Sequence, residues 1–521
     1  MHPPPGDDHR DALRGSRLPS VMGYNLRPCV IHGIRHNYEF AVSEEVQKLC
    51  SESDERAFAR ARNARLIMSD VVPEIAADVD KPYCIWYPDI ASEDTYRQLA
   101  RRYPDMRYLV GRACAVAGYA TLYHELDLLP EVSIAEEARD NSAKDGSRAI
   151  FDAVMKQPAC YAIVDDYTRS CNIDKPLCPA FMNGDTAVRS SLDVRLGLDM
   201  WEKWRDHYFN IAEDFNVDEE SSEKTNRQTI DSTHVSLFYT PLLSHLPTTN
   251  KDPLIIMAAY EGNIERYARL RRPVILHDEG YAIVRGIYHN TTFAKWWSLQ
   301  VQNTSTGWAS DIEKAILARF IMVNDLSHIT PAKPSLYGIP DLIWWPLIPA
   351  EDTLRELVRR RPEAKLQVAM ACIAGDYRQL WDSIAPEPHS ELMDQARQDQ
   401  SHPEATQYWP RSPNRNYYVD YLEKRAEEMG DSINMIHCSE CEDAAVRDKE
   451  PTSTWLGDEI SAHPYALVNS NPGGSVYGWG SQANASSWEL FICSSEGMRR
   501  KAEEEGGLRL YDDYAVPPKA E

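Results

Sequence analysis

A segment of this chain occurs twice, and this repetition limits its possible folds more than any other feature. Residues 85–114 read IWYPDIASEDTYRQLARRYPDMRYLVGRAC, and residues 343–372 read IWWPLIPAEDTLRELVRRRPEAKLQVAMAC. From Trp86 to Cys114, 14 of 29 positions are identical at a constant offset of 258, where chance would give roughly one or two. Internal self-similarity at a fixed offset is the signature of repeated structural units, so we expect two copies of one fold.

The match extends upstream of this segment. Residues 33–41 parallel residues 286–294, and residues 64–68 parallel residues 318–322. The offset changes from 253 to 254 and then to 258, as insertions in loops would produce. The two copies therefore run from about residue 30 to 140 and from about 283 to 400.

The repeated segment has the pattern of a helix with charged ends. Glu93 and Asp94 lie where carboxylates favour the positive end of the helix dipole, and Arg101 and Arg102 lie at the opposite end. Pro104 then stops the helix. The second copy repeats this arrangement, so both copies predict mostly α structure.

Small residues followed by glycine predict tight turns between paired helices. Small side chains let a second helix pack closely, and glycine supplies a positive-φ turn. An amphipathic stretch follows each of these glycines. The three occurrences are Ala113-Cys114 before Gly118, Ala258-Ala259 before Gly262, and Ala371-Cys372 before Gly375.

The middle hairpin resembles an ankyrin repeat. The stretch PLIIMAAYEGNIERYARLRRP, residues 253–273, places Ala258, Ala259, Gly262 and Leu270 at positions typical of that family. The usual Thr-Pro-Leu-His start is absent. The resemblance implies stacked helix pairs with a binding surface along one side, and it implies no catalytic residues. We therefore predict a mostly α, solenoid-like stack of helix hairpins in two homologous halves.

The sequence divides into five predicted segments. The last of them is rich in turn residues and is expected to be an irregular cap that contains short strands. The segments are a disordered tail (1–20), a first repeat half (21–215), a polar linker or loop (216–233), a second repeat half (234–430) and a C-terminal cap (431–521).

The charge balance bears on partners and location. The chain has 56 Lys and Arg against 80 Asp and Glu, a net charge of −24. Binding to nucleic acid requires clustered cations, so we expect no direct nucleic-acid partner. No run approaches the ~18 apolar residues of a membrane span, and the N-terminal MHPPPGDD lacks a signal-peptide core. We expect a soluble protein of the cytoplasm or nucleus without a membrane partner.

The cysteines give little indication of a cofactor. The chain has 11 of them, and in a reducing compartment most stay as thiols. Cys438 and Cys441 form a Cys-x-x-Cys pair, but a structural zinc site needs four ligands. The sequence leaves metal binding by this pair open and predicts neither another metal site nor a cofactor.

Two kinds of residue recur as candidate binding groups. His36 and His289 occupy the same place in the two copies, each followed by asparagine. They are either a pair of acid/base or ligand groups, or structural turns that bond loop backbone. A residue kept in both copies is more easily explained by the shared fold.

The aromatic pairs Trp86-Tyr87 and Trp344-Trp345 are the second kind. They are either loop anchors at an interface, where Trp and Tyr are enriched among energetic hot spots, or loop aromatics packed over their own helix pair.

The sequence shows none of the familiar catalytic signatures, such as Gly-x-Ser-x-Gly or His-Glu-x-x-His. We therefore expect a non-enzymatic repeat scaffold that binds protein partners, such as an adaptor or transcriptional co-regulator. The alternative is an enzyme of unfamiliar type in specialised metabolism, with an aromatic-lined pocket between the two halves.

Overall fold

The fold is known from a computed structural model, and its chain forms two compact units, residues 1–251 and 252–521. The structure describes residues 7–23, 26–192, 196–197, 217–218, 234, 236–237, 240–249, 251–273, 275, 279–300, 308–329, 338–340, 342–344, 346–397 and 414–430.

The described residues are mostly helical. In the first unit the helices are α1 (Asp7–Leu13), α2 (Leu26–His36), α3 (Tyr38–Val42), α4 (Glu44–Glu52), α5 (Arg56–Met68), α6 (Glu93–Arg102), α7 (Arg107–Ala117), α8 (Ala120–Glu125), α9 (Val132–Asp140), α10 (Asp145–Met155) and α11 (Ala187–Leu192). In the second unit they are α12 (Asp252–Glu261), α13 (Ile264–Leu270), α14 (Glu279–His289), α15 (Thr291–Ser298), α16 (Ala309–Met322), α17 (Glu351–Arg360), α18 (Lys365–Gly375), α19 (Arg378–Ile384), α20 (Ser390–Arg397) and α21 (Arg415–Met429).

Short strands follow α10. They are β1 (Cys160–Ala162), β2 (Val164–Asp165), β3 (Ser170–Cys171), β4 (Leu177–Ala180), β5 (Leu196–Gly197) and β6 (Val217–Asp218). Strands β1 and β4 pair antiparallel, β2 and β3 form an antiparallel hairpin, and β5 and β6 pair in parallel.

Helix α6 shows why these residues form helices. The Ser92 hydroxyl accepts a hydrogen bond from the Thr95 backbone N–H at 3.3 Å, which caps the N-terminus. Acidic residues occupy the first turn and Arg101 and Arg102 the last, as predicted. A short 3₁₀ turn then begins at Pro104. Helix α17 begins and ends 258 residues later and keeps the charged first and last turns and the 3₁₀ turn, here at Pro362, although Ala350 stands in place of the capping Ser92.

The duplication is present helix by helix. Helices α2 and α3 correspond to α14 and α15 at an offset of 253. Helices α6 and α7 correspond to α17 and α18 at 258. The copies are therefore built from equivalent elements in the same order.

The predicted disordered tail is wrong for its described part, because residues 7–13 form α1. Ala12 and Leu13 are buried, and α1 packs against α2. The crossing is close, since a Cβ added at Gly33 would lie 2.0 Å from the Ala12 carbonyl oxygen. The many charges of this segment suggested a tail, whereas its short apolar face is held by α2.

Helix α1 is the counterpart of α12 in the second unit. A Cβ added at Gly286 would lie 2.0 Å from the Ala259 carbonyl oxygen, as at Gly33 in the first unit. A glycine with positive φ also follows each helix, Gly15 at +65° and Gly262 at +67°. Each copy therefore begins one helix earlier than the sequence comparison indicated.

The predicted turns after the small-residue pairs differ in one place. Gly118 has a φ of +85° and ends α7, and Gly262 ends α12, as predicted. In the second copy Gly375 is still helical, and Asp376 adopts the left-handed conformation at φ +54°. Asp376 lies at the 258 offset from Gly118, so the turn is retained although its residue has changed.

Hydrophobic cores underlie this arrangement. In the first unit, one cluster of buried side chains extends from Ala12 to Ala61, and another from Ile67 to Val188. Among the described residues, no helix is both long and apolar enough to cross a membrane. The predicted cap (431–521) and Cys438 and Cys441 lie outside the described residues, as does all of the predicted linker except residues 217–218.

Candidate functional site in the first unit

Two of the predicted aromatic anchors, Trp86 and Trp344, do not project from the surface. The side chains of Trp86 and Trp344 are buried, with 5% and 4% of each residue exposed. Trp86 belongs to the hydrophobic core of the first unit, where it packs with residues such as Tyr83 and Tyr96. Tyr87 is half-buried, and its backbone carbonyl accepts a hydrogen bond from Arg35 Nε at 3.1 Å. Trp345 lies outside the described residues.

His36 lies close to Tyr87 in the first unit. Its ring stacks on His32, with ring centroids 3.7 Å apart, and meets Tyr87 edge to face at 5.8 Å. The His32 ring nitrogen Nδ1 is 3.2 Å from the carbonyl oxygen of Leu13, at the end of α1. His289 is half-buried at the end of α14. The acid/base or ligand role of His36 and His289 stays a prediction.

The asparagine after each histidine joins neighbouring elements. Asn37 Oδ1 accepts from the Phe40 N–H at 3.1 Å, which caps α3, and Asn37 Nδ2 donates to the Gly15 carbonyl at 3.3 Å. Asn290 caps α15 and donates to Gly262 at 3.2 Å. In both copies this asparagine therefore links the turn at Gly15 or Gly262 to the start of α3 or α15.

A buried arginine, Arg65 or Arg319, also occupies equivalent places in the two copies and makes the same contact in each. Arg65 Nη1 donates to the Arg35 carbonyl at 3.4 Å, and Arg319 Nη1 donates to the Tyr288 carbonyl at 2.7 Å. These carbonyls end α2 and α14, where helix carbonyls lack partners within the helix.

A residue with positive φ then fixes the start of the next helix. Asp70 Oδ1 accepts from the Ser92 N–H and the Thr95 hydroxyl at 2.7 and 2.8 Å. Asn324 Oδ1 accepts from Ala350 and Thr353 at 2.7 and 2.9 Å. The residue changes between the copies, but the accepting oxygen is kept.

The first unit also contains a buried charge network centred on Arg112. The Arg112 side chain has no exposed surface, and its guanidinium lies 4.8 Å from the centre of the Trp86 ring. Nη2 donates to Glu137 at 2.8 Å, and Nη1 donates to Asp166 at 2.5 Å. Both carboxylates are themselves buried. One cation on α7 is thus shared between a carboxylate on α9 and one beyond β2.

Both carboxylates also bind groups from the segment after the hairpin. Asp166 accepts from the Tyr83 hydroxyl at 2.7 Å and from the Val188 N–H at 2.9 Å. Glu137 accepts from the Thr186 hydroxyl at 3.2 Å. The network therefore fastens the β2–β3 hairpin and the start of α11 to the helices. Charged groups can do this in the interior because each is paired and hydrogen-bonded.

A second set of charged residues fastens the adjoining backbone. Glu136 accepts from the N–H groups of Asn183 and Gly184 at 2.8 and 3.2 Å, and it pairs with Arg139. Arg139 in turn donates to the carbonyls of Gly184 and Leu246 at 3.2 and 2.5 Å. This set holds two segments that are 62 residues apart in sequence against α9.

Burial changes the acidity of these carboxyl groups in different directions. Burial raises the pKa of Glu131, which caps α9, to about 7, and it also raises the pKa of Glu136 to about 7. Burial acts in the same direction on Asp166, but Arg112 and the hydrogen bonds from Tyr83 and Val188 outweigh it and hold its pKa below the usual range. Asp166 is thus stabilised as an anion.

This network is absent from the sequence of the second copy. Arg112 corresponds to Met370 and Glu137 to Gln395 at the offset of 258, although flanking residues such as Cys114 and Ala138 are identical. The shared fold therefore does not require the charges. The sequence carries a signal of this network, because charged residues in the first copy align with uncharged ones in the second, but the predicted site residues did not include Arg112 or Glu137.

An open pocket of about 410 Å³ lies beside this network. Tyr83 links the two, since its side chain lines the pocket and its hydroxyl binds Asp166. The lining comes from α5, the loop before α6, the turn into α7 and the β2–β3 hairpin. It comprises Arg60, Asp78, Val79, Lys81, Pro82, Tyr83, Asp105, Met106, Leu109, Thr168, Arg169, Ser170, Cys171 and Ile173.

The pocket is lined by both charged and apolar side chains. Lys81 Nζ binds both lining carboxylates, Asp78 at 2.7 Å and Asp105 at 2.6 Å. Arg169, in the hairpin, has a φ of +53°. Met106 and Leu109, which also line the pocket, are buried. Such a pocket can hold a ligand that has both a charged and an apolar part.

The arrangement is suited to binding and to holding segments in place. The charged groups of Arg112, Glu137 and Asp166 are paired with one another and hydrogen-bonded to nearby protein groups. Among the described residues, no group of three or more His, Cys, Asp or Glu side chains is placed to hold a metal ion.

Comparison with known proteins gives two matches. A family model described as the YKP1 C-terminal domain matches residues 86–197, about a fifth of the chain. An uncharacterized killer plasmid pGKl-2 protein 1 from Kluyveromyces lactis is 21% identical over 148 residues, which are 28% of this chain and 64% of that protein. This chain therefore covers less than two thirds of that relative's length. No solved structure matches the chain. The chain is thus similar to the YKP1 C-terminal domain over the segment that carries the Arg112 network.

Proposed function

We propose that this chain is a non-enzymatic, ankyrin-like helical-repeat scaffold that binds protein partners. One observation carries the proposal: residues that occupy equivalent places in both copies serve to join helices. Gly33 and Gly286 permit close helix crossings, and Asn37 and Asn290 tie each crossing to the next helix. A duplication selected for catalysis would be expected to retain reacting groups in both copies, whereas one selected for a surface needs to retain the packing.

The order of packing within each unit supports a solenoid-like stack. In the first unit α2 packs against both α1 and α5, and in the second unit α14 packs against both α12 and α16. The central helix α2 or α14 thus lies between an earlier and a later helix of its own unit, as in repeat proteins whose units pack in series. Such stacks present an extended surface, which is the usual means by which repeat proteins bind other proteins.

Two of the residues predicted to bind a partner, Trp86 and Trp344, are unsuited to a binding surface. Trp86 and Trp344 are buried, so truncating them would damage the core before it affected a partner. The β2–β3 hairpin region offers a surface instead, because Val79 and Ile173 are 58% and 39% exposed beside the pocket. Exposed apolar groups beside a concave site are typical of binding surfaces.

The enzyme alternative, with an aromatic-lined pocket between the two halves, stays a prediction. The measurement that separates the two hypotheses is native affinity purification of the tagged full-length chain from its own cells. Mass spectrometry of the eluate would identify both proteins and small molecules. We expect a stoichiometric protein partner. Recovery of the chain alone with a specific small molecule would contradict the scaffold and favour the enzyme.

A further inference from the structure

We infer that a surface patch of the second unit, formed by Arg271, Trp296 and Leu299, is a docking site for a segment of a protein partner that carries a carboxylate beside an apolar side chain. We call it the Arg271 patch. This inference rests on the proposed function and specifies where the partner binds and what chemistry it presents. Its basis is an arginine held against aromatic rings, next to an exposed apolar side chain.

Two helices bring the Arg271 patch together. Arg271 follows the last residue of α13, and its backbone N–H donates to the Tyr267 carbonyl at 2.9 Å. Its guanidinium carbon lies 5.4 Å from the centres of the Trp296 and Trp297 rings, which belong to α15, and 5.9 Å from the centre of the Tyr267 ring. A guanidinium within about 6 Å of a ring centre makes a favourable cation–π contact. These contacts therefore hold the Arg271 side chain against α15.

The rings that contact Arg271 are themselves held in place by the core. Tyr267 and Trp297 are fully buried, and the Tyr267 hydroxyl donates to Glu279 at 2.6 Å. Trp296 is half-buried, and its ring meets that of Trp297 edge to face with centroids 5.4 Å apart. A side chain that is already ordered loses less conformational entropy when a partner binds. The ring cluster therefore prepares Arg271 for binding.

The hydrogen-bonding groups of Arg271 are available to a ligand. Among the described residues, none forms an ion pair with its guanidinium or accepts a hydrogen bond from it. By contrast, Arg319 donates to the Thr291 hydroxyl at 2.9 Å and to the Tyr288 carbonyl at 2.7 Å. Cation–π contacts leave the five N–H donors of a guanidinium unused, and two of these donors match the two oxygens of a carboxylate. Arg271 is therefore suited to a carboxylate-bearing ligand.

Leu299 supplies the apolar part of the Arg271 patch. It lies three residues after Trp296, a spacing that places two side chains on one side of a helix, and it is 72% exposed. Lys295, four residues before Leu299, is also exposed and forms no ion pair within the described part of the chain. The patch thus combines positive charge with apolar surface in a chain whose net charge is −24. Tryptophan and arginine are among the residues enriched at the energetic centres of protein interfaces.

The first copy lacks the tryptophans of this site. Trp296 and Trp297 correspond to Ser43 and Glu44 at the offset of 253, although the buried Phe293 is retained as Phe40. The equivalent helices α3 and α15 thus share their packing residue, and the shared fold does not require the tryptophans. The docking site is therefore expected in the second copy alone.

The test is selection of random displayed peptides on the immobilised full-length chain. We expect enriched peptides to share an Asp or Glu beside an apolar residue. Their affinity, measured by fluorescence polarisation, should fall about tenfold or more in R271Q, and it should also fall on raising the salt concentration. L299S, which removes the apolar contact, should weaken binding as well. The matched control is R425Q, which makes the same change at an exposed arginine of the same unit and should bind as the wild type does.

Hydrogen exchange followed by mass spectrometry separates a local loss of binding from a loss of folding. Without peptide, R271Q should exchange as the wild type does in α13 and α15. A bound peptide should slow exchange in residues 264–273 and 291–300 of the wild type, and R271Q should show no such change. If R271Q itself loses protection in these helices, L299S carries the test, because the Leu299 side chain is mostly exposed.

Enrichment of peptides without acidic residues would overturn the inference, as would equal affinity for wild type and R271Q. Binding of a single-stranded oligothymidylate that is lost in R271Q, with no acidic peptide enriched, would overturn it in favour of a nucleic acid. The proposed function can fail separately. If R271Q retains the stoichiometric partner that wild type recovers from cells, the scaffold stands and the docking site is wrong. If wild type recovers only a small molecule, the scaffold itself is wrong.

Discussion

Replacing Arg112 with methionine, the residue of the second copy, is expected to destabilise the first unit strongly. The substitution keeps much of the side-chain volume but removes the cation. Glu137 and Asp166 would then remain buried, 2% and 7% exposed, without their shared partner. A buried charge left without its partner is among the most destabilising single changes.

The magnitude follows from the two contacts of Arg112. Each is a charge-assisted hydrogen bond, at 2.8 Å to Glu137 and 2.5 Å to Asp166, and such bonds contribute about 1.5–3 kcal/mol each. Removal of one partner from a buried ion pair costs about 3–5 kcal/mol, so we expect a loss in that range. For a unit of this size, it lowers the melting temperature by roughly 6–20 °C.

The assay is hydrogen exchange followed by mass spectrometry, because it reports the two units separately. We expect R112M to lose protection in α7, α9 and residues 164–190, while the second unit keeps its protection. The triple variant R112M/E137Q/D166N provides the matched control. It should recover most of the loss, because replacing a whole buried ionic group with neutral residues is often close to neutral.

Two results would refute this reasoning. The first is a change of less than about 1 kcal/mol for R112M, which would mean that the network is hydrated or easily rearranged. The second is a triple variant no more stable than R112M, because the loss would then come from packing rather than from uncompensated charge.

Three further predictions concern the first unit. Gly33→Ala should destabilise it by about 1–3 kcal/mol through overpacking against Ala12, whereas Gly23→Ala, whose added Cβ would meet only a side-chain atom at 3.9 Å, should be nearly neutral in thermal unfolding. Hydrogen bonds from Ser92 and Thr95 lower the pKa of Asp70, so stability is lost as the pH falls through that pKa. Asp70→Asn should keep the turn, as asparagine does in the second copy, and remove this acid dependence in urea titrations, but Asp70→Ala should lose the turn at every pH. Burial raises the pKa of Glu131 to about 7, so the folded state binds that proton more tightly and stability falls as pH rises from about 4.5 through 7. Glu131→Gln should flatten this part of the stability–pH curve, and an unchanged slope would contradict the assignment.

Local signals in the sequence account for the helices that were predicted correctly. Ser92, Glu93 and Pro104 act within one or two turns of α6, so their effect does not depend on the rest of the chain. The duplication was equally accessible, because two copies of one fold keep the same local signals at a nearly constant offset. Helix α1 was missed because its few apolar residues are outnumbered by charges, and only its contact with α2 reveals its role.

The candidate site needed the tertiary structure. The Tyr83 ring, Arg112, Glu137 and Asp166 come from four separate segments, and their pairing depends on how α7, α9 and the β2–β3 hairpin meet. The difference between Arg112 and Met370 was visible in the sequence, but whether that arginine was buried or solvated was not.

By itself, the sequence of this protein determined the helical content and the two copies, since capping, amphipathic spacing and repetition act over short distances along the chain. The tertiary structure alone decided that Trp86 and Trp344 are buried, that Arg112 joins two carboxylates, and that a pocket opens beside Tyr83. The physical reason is that burial, and with it the strength of a charge or the availability of an aromatic ring, depends on which distant segments cover a residue.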